Sequence, residues 1–329
     1  MPQTEDQAYF DSYAGAEVHR LMLADRTRTE SYRAAIEALV KPGMTVLDVG
    51  AGTGILSFFA ARAGAQRVYA VDNSDILEVT RELVRVNGFE DQIVCIEGVA
   101  EDIDLPGGVD VIVSEWMGLF AVTEAMFESV IRVAERHLKP KGILIPGSIQ
   151  LFITPIQEDQ LYQDHSLGFW TESLYGFDYT PMVAAEIADL DSNSVEGHRA
   201  SSLGPPRMVA DIDCYRDPAE AYWFDSKVEF AIERGGRFHG FFGHFEALLA
   251  PGVMLSTSHE ETMTHWRQQW FPVRERELEA GDRIRLSFKA RKDPTGMDPR
   301  KPTFFMEGEI LRADEVIDTF FYCHHGTYE

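Results

Sequence analysis

From residue 45 to residue 146 the chain alternates short apolar runs with amphipathic stretches, and few folds tolerate that order. TVLDV (45–49), RVYAVD (67–72), QIVCIE (92–97), VDVIVS (109–114) and GILIP (142–146) read as strands. ILSFFAARA (55–63), ILEVTRELVRV (76–86) and AMFESVIRVAERHL (125–138) read as helices between them. Strands joined through helices pair in parallel, so the segment predicts an α/β domain with helices on both faces of one sheet. After residue 146 the pattern changes to short alternating runs, IQLFITPI (149–156), RIRLSFKA (283–290) and FFMEGEI (304–310), which predict an antiparallel β domain. Residues 175–206, closing on LGPP, read as an excursion from it, and residues 16–39 as helical segments broken around 25–29. The expected units are therefore 1–40, 41–146 and 147–329.

VLDVGAGTGI (46–55) places Gly50, Gly52 and Gly54 after a strand and at the start of a helix. Glycines there let the backbone approach a ligand, at the carboxyl edge where such sheets bind them. A dinucleotide fingerprint requires a third glycine at position 55, which is Ile55. The G-x-G-x-G spacing suits S-adenosylmethionine better, since that cofactor brings no pyrophosphate. Asp48 and Asp72 suit its amino group and ribose diol, and Glu101 could accept from its adenine amine.

SEWMGLFAVTEAM (114–126) sets Glu115 and Glu124 in an otherwise apolar stretch, with no lysine or arginine nearby in sequence. Buried carboxylates are costly unless a cation or strong donors meet them. Which cation they meet is left open by the sequence pattern. With no resident partner the two carboxylates would repel each other, so glutamine variants are expected to fold at least as stably.

Thirty basic against 54 acidic residues give a formal charge of −24, which disfavours nucleic acid and favours cationic partners. Nothing in the sequence reads as a membrane span or an export signal, and Cys95, Cys214 and Cys323 show no disulfide or metal-ligand spacing. A cytoplasmic protein without a metal is expected.

Four blocks carry a resemblance over nearly the full length: YFDSY (9–13) with HRLMLADRTRT (19–29), VLDVGAGTGI, SEWMGLFAVTEAM and THW (264–266). With them the chain closely resembles the protein arginine N-methyltransferases. The resemblance implies a Rossmann-like S-adenosylmethionine-binding domain followed by a β-barrel. A helical arm inserted in the barrel, here about 175–206, would mediate homodimerisation. It assigns Arg28 to the methionine carboxylate, Asp72 to the ribose hydroxyls and Glu101 to the adenine amine, with His19 and Met126 as further cofactor contacts. Tyr9, Phe10, Tyr13, His19 and Met22 would form an N-terminal lid, with Trp266 beside the substrate. Glu115 and Glu124 would grip the substrate guanidinium, and Asp25 and His265 would tie the lid to the barrel. Three positions depart from the family pattern: Asp72 where glutamate is usual, Leu119 where tyrosine is common, and Ala8 in place of a frequent aromatic.

Two carboxylates suit arginine chemistry for a physical reason. A guanidinium is always protonated and spreads its charge over three nitrogens, so its lone pairs are poor nucleophiles. Carboxylates on one side of the fork draw charge toward the nitrogens they touch, leaving a terminal nitrogen richer in electrons. Either Glu124 or the Asp25–His265 pair, through water, could then take the departing proton. The acceptor would be arginine in a protein or peptide, with free L-arginine as the alternative and a catalytically silent scaffold as a third reading.

Overall fold

The computed structural model describes residues 15–124, 126–293 and 300–326. Tyr9, Phe10 and Tyr13 of the expected lid lie outside them. Two helices, α1 (Ala16–Ala24) and α2 (Arg26–Leu39), lead into the first sheet. The chain breaks between them at Asp25, whose backbone is extended and whose side-chain Oδ1 caps α2 by accepting from the Arg28 N–H at 2.9 Å.

β1 (Thr45–Val49), β2 (Arg67–Asp72), β3 (Ile93–Glu97), β4 (Val109–Ser114) and β5 (Leu138–Ile145) form one sheet in the order β3-β2-β1-β4-β5. Every neighbouring pair is parallel. Helices over Ile55–Arg62, Ile76–Val86 and Phe127–His137 connect the strands, close to their expected limits. The order reverses between β1 and β4, and a crevice opens at the strands' carboxyl ends there.

A cis Ile145–Pro146 bond leads into the second unit. A short hairpin, β7 (Ser173–Leu174) with β8 (Phe177–Asp178), stands apart from its ten-stranded sheet. That sheet runs in the order β10 (Arg207–Asp213), β6 (Ser148–Ile156), β12 (Gly236–Ala250), β14 (Gln268–Leu278), β9 (Leu190–Val195), β17 (Glu315–Gly326), β16 (Pro302–Arg312), β15 (Arg283–Lys292), β11 (Asp225–Ala231), with β13 (Val253–Ser256) on β12. The end strands β10 (Arg207–Asp213) and β11 (Asp225–Ala231) nearly meet, where Arg207 Nε donates to the Glu229 carbonyl at 2.9 Å. The result is a barrel with one open seam.

The excursion differs from expectation at both ends. It leaves after β6 (Ser148–Ile156), with a helix already at Asp159–His165 and another at Pro181–Ile187. It has rejoined the barrel at β9 (Leu190–Val195), which pairs antiparallel with β14 (Gln268–Leu278). β9 also pairs in parallel with β17 (Glu315–Gly326), so the barrel is not wholly antiparallel. Leu190, Ser192 and Val195 are buried in that wall, which removes them from any protruding arm.

Candidate active site

The Gly-rich turn and the glutamate loop line one cavity of about 690 Å³, at the crevice beside β1, β2 and β4. Gly50, Gly52 and Gly54 have φ of +71°, +51° and +79°, which only glycine adopts without strain. A Cβ on Gly50 would meet nothing, whereas one on Gly52 would press on the His19 ring at 3.1 Å. His19 on α1 therefore covers the turn from above, nearly buried itself. The Asp72 carboxylate holds the turn: Oδ2 accepts from the Gly52 N–H at 2.8 Å. Its Oδ1 accepts from the Ser74 N–H at 2.9 Å and from Ser74 Oγ at 2.6 Å. Of roughly four lone-pair positions on a carboxylate, three are taken, so a ribose diol would gain its second contact only by turning Ser74 Oγ away. Glu101 lines the same cavity.

Asp48 and Gly54 do not line it. Asp48 is buried beneath the turn, where Ser57 Oγ donates to it at 2.6 Å, because its side chain leaves the strand on the helix-covered face. Burial pushes the Asp48 carboxyl up to about 7 despite the Ser57 hydrogen bonds. Its folded-state pKa is thus above its unfolded value near 3.9. The group's contribution is most favourable below that unfolded value and is lost as pH rises toward the folded value. Asp48→Asn is therefore expected to stabilise the protein more at alkaline than at acidic pH, by about 2 kcal/mol between roughly pH 5.5 and 8.5. Denaturant unfolding at the two pH values checks this, and an equal effect at both would overturn it.

The loop carrying the glutamates is bent by unusual backbone and held by aromatic packing. Phe120, Ala121 and Glu124 sit at φ of +52°, +58° and +79°, each costing about 1–2 kcal/mol for a non-glycine residue. A Cβ on Gly118 would collide with the Thr123 carbonyl, so the loop closes on itself only with glycine there. Phe120 offsets the strain by entering the barrel, with ring centroids 5.6 to 6.2 Å from Phe271, Phe288 and Phe304. Trp266 Nε1 donates to the Met117 carbonyl at 2.5 Å, which pins the loop from the other side.

Glu115 does have a resident cation, contrary to expectation. Arg28 donates to its Oε2 from Nε at 3.0 Å and from Nη2 at 2.7 Å, and both side chains are almost buried. Burial disfavours the Arg28 charge, but the carboxylate outweighs it and raises the guanidinium further above its ordinary range. Arg28 Nη1 also reaches the Met22 carbonyl at 3.4 Å. Sequence proximity could not reveal a partner 87 residues away.

Asp25 meets His265 at the cavity's edge. Asp25 Oδ2 accepts from the His265 N–H and lies 2.8 Å from Nδ1 as well. Burial alone would raise the Asp25 carboxyl, but hydrogen bonds from the His265 ring and from the main chain of Arg28 and His265 hold it below its ordinary value. Nδ1 facing Asp25 leaves Nε2 as the ring nitrogen turned away from that carboxylate. His265, Trp266, Met22 and Met126 line the cavity, and Asp25 stands behind His265. Arg300 also lines it, which no motif in the sequence marked, and so does the departing residue Leu119. Among the described residues no group of His, Cys, Asp and Glu could hold a metal ion, and no helix is long and apolar enough to cross a membrane.

A glycine cradle at the switch point of a parallel sheet, with carboxylates at its second strand and above its fourth, defines a Rossmann-like S-adenosylmethionine-dependent methyltransferase. Comparison with known proteins narrows the class. Residues 148–301 match the model of the arginine methyltransferase oligomerization subdomain, and residues 28–159 that of ribosomal protein L11 methyltransferase. The chain is 37% identical to protein arginine N-methyltransferase 1 of Schizosaccharomyces pombe, over 86% of this chain and 84% of that protein. It is equally identical to probable protein arginine N-methyltransferase 6 of Arabidopsis thaliana, over 80% of this chain and 70% of that one. Its backbone is similar to the Trypanosoma brucei PRMT1 enzyme–prozyme heterotetrameric complex with AdoHcy, with a TM-score of 0.88 and 29% identity over 96% of this chain and 100% of that one. The chain belongs to the protein arginine N-methyltransferase family.

Proposed function

We propose that the enzyme transfers a methyl group from S-adenosylmethionine to a terminal guanidino nitrogen of arginine in a protein or peptide. The observation that carries this reading is Glu115 and Glu124 lining one cavity with the Gly-rich turn, among apolar walls. The cofactor supplies an electrophilic methyl on a sulfonium sulfur. Gly50 and Gly52 would admit it, Asp72 would accept from its ribose, Glu101 would accept from its adenine amine, and His19 and Met126 would border it. Arg28 has five donors. Two hold Glu115 and two more make long contacts to the Met22 carbonyl and sulfur, at 3.4 and 3.8 Å, which a methionine carboxylate would replace; only one Glu115 oxygen is occupied. Glu115 Oε1 and the Glu124 carboxylate then take the substrate guanidinium, with Met22 and Trp266 packing beside it. Either Glu124 or His265 Nε2, held by Asp25, receives the proton the product must lose.

Labelled cofactor incubated with an Arg-Gly-rich peptide and, separately, with free L-arginine tests the acceptor. Label is expected on the peptide. Label on free arginine alone would overturn the protein-acceptor reading, and label on neither would overturn arginine methylation.

The enzyme acts as a homodimer in this reading, with the excursion of one copy resting on the parallel-sheet domain of the other. Exposed Phe169, Tyr175 and Phe177 on the excursion, and exposed Val79 and Val86 on a helix of the first domain, support it. The matched oligomerization-subdomain model supports it too. A dimer is expected by light scattering at micromolar concentration, reduced to monomer by Tyr175→Asp with Phe177→Asp. A wild-type monomer would refute the arrangement.

A further inference from the structure

We propose that Arg300 is the positioning residue for Glu124, acting from the barrel through the Glu124 main chain. Three observations converge on it. Glu124 stands in the left-handed region at φ +79°, with none of glycine's freedom to be there. Its peptide groups on both sides are bonded to one residue: the Glu124 N–H donates to the Arg300 carbonyl at 2.9 Å, and the Glu124 carbonyl accepts from Arg300 Nη1 at 3.4 Å. The same Nη1 lies 3.5 Å from the Met126 sulfur, so one donor nitrogen ties the Glu124 carbonyl to the residue two positions on, while the Arg300 main chain holds the other side of the bend.

The chemistry of the site sharpens the point. Arg300 lines the cavity that also holds both glutamates. A permanent cation in the wall of a site for a cationic substrate opposes binding by simple Coulomb repulsion. A guanidinium in that wall needs a compensating role, and the fixed direction of its donors provides one. Phe120 anchors the start of the loop in the barrel and Arg300 anchors its end. The carboxylate of Glu124 is thereby aimed by two barrel contacts, while Glu115 is aimed by Arg28 from the N-terminal helices. The two halves of the guanidinium clamp are thus set by different parts of the chain.

The inference rests on the arginine-methylation reading, and its test separates the two. Arg300→Met keeps the length of the side chain and removes the donors. Its kcat/KM for an arginine peptide is expected to fall about 10- to 100-fold, mainly in kcat, as a misaimed catalytic group costs that much. Affinity for S-adenosylhomocysteine, measured by calorimetry, is expected to fall far less than kcat/KM, because Arg300 touches that site through its 3.5 Å contact with the Met126 sulfur while the Gly-rich turn and Asp72 keep their own contacts. On a Glu124→Gln background the same substitution is expected to add less than about twofold, since groups acting as a unit are non-additive. Should Arg300→Met not fold, Arg300→Lys serves, because one ammonium cannot replace a planar fork. An active wild type with an unimpaired Arg300 variant, or full additivity with Glu124→Gln, would overturn the positioning role alone. A wild type that leaves arginine unmethylated would overturn the functional reading, and the positioning role with it.

Discussion

Glu124→Gln is expected to lower kcat/KM for an arginine peptide by about a hundredfold or more, with the fold and the cofactor affinity unchanged. Glutamine keeps the size and one acceptor but loses the charge that meets the guanidinium. Removing one side of such a pair costs about 2–5 kcal/mol, and each 1.4 kcal/mol is about tenfold in rate. The fold should survive because Glu124 is held through its main chain, by the Arg300 carbonyl and Nη1, and glutamine leaves both contacts in place. Steady-state kinetics with calorimetry of S-adenosylhomocysteine binding measure the two halves of the claim. Near-normal methylation by a folded variant would sink the clamp.

Glu115→Gln is expected to lose comparable activity and, unlike its counterpart, to be markedly less stable. Read from sequence alone, the two glutamates were equivalent, and relief of repulsion was expected to favour both glutamine variants. The Arg28–Glu115 pair reverses that expectation for Glu115. Neutralising the carboxylate leaves the almost buried Arg28 guanidinium without its counter-charge. Breaking a buried pair from one side costs about 3–5 kcal/mol. Glutamine Oε1 can still accept one Arg28 hydrogen bond, which places the loss near about 3 kcal/mol. A fall in the thermal midpoint of about 4 °C follows for a chain of this size. Equal melting temperatures for the two glutamine variants would show that Arg28 does not depend on Glu115. Arg28→Met should relieve part of the instability in the double variant, because it removes the orphaned charge rather than adding a second defect.

The limits of the sequence are visible in these same residues. The parallel-sheet domain was legible because its signals are local. A strand such as TVLDV and a helix such as ILEVTRELVRV are written in the spacing of neighbouring apolar residues, and the structure places both at the expected bounds. The Gly-rich turn was legible for the same reason, since the left-handed conformations of Gly50, Gly52 and Gly54 are a property of those residue types. So was the presence of two costly carboxylates between Ser114 and Met126. The Asp25–His265 pair came only through the family resemblance, for its members are 240 positions apart.

What the two carboxylates face was decided by tertiary structure. Arg28 reaches Glu115 across 87 residues and Arg300 reaches the Glu124 carbonyl across 176, and neither distance leaves a periodicity to read. Asp48 and Asp72 look alike as acids closing successive strands, yet one is buried against Ser57 and the other opens on the cavity. The return of the excursion at Leu190 was equally hidden, because β9 is short and is made a strand by pairing with β14 on one side and β17 on the other. Apolar spacing determines which segments become strands and helices, since it depends on neighbours one turn or one pleat away. Which charge meets which, and which strand lies beside which, depends on groups brought together only after those segments pack, so the sequence set the parts of this enzyme and the fold set their partners.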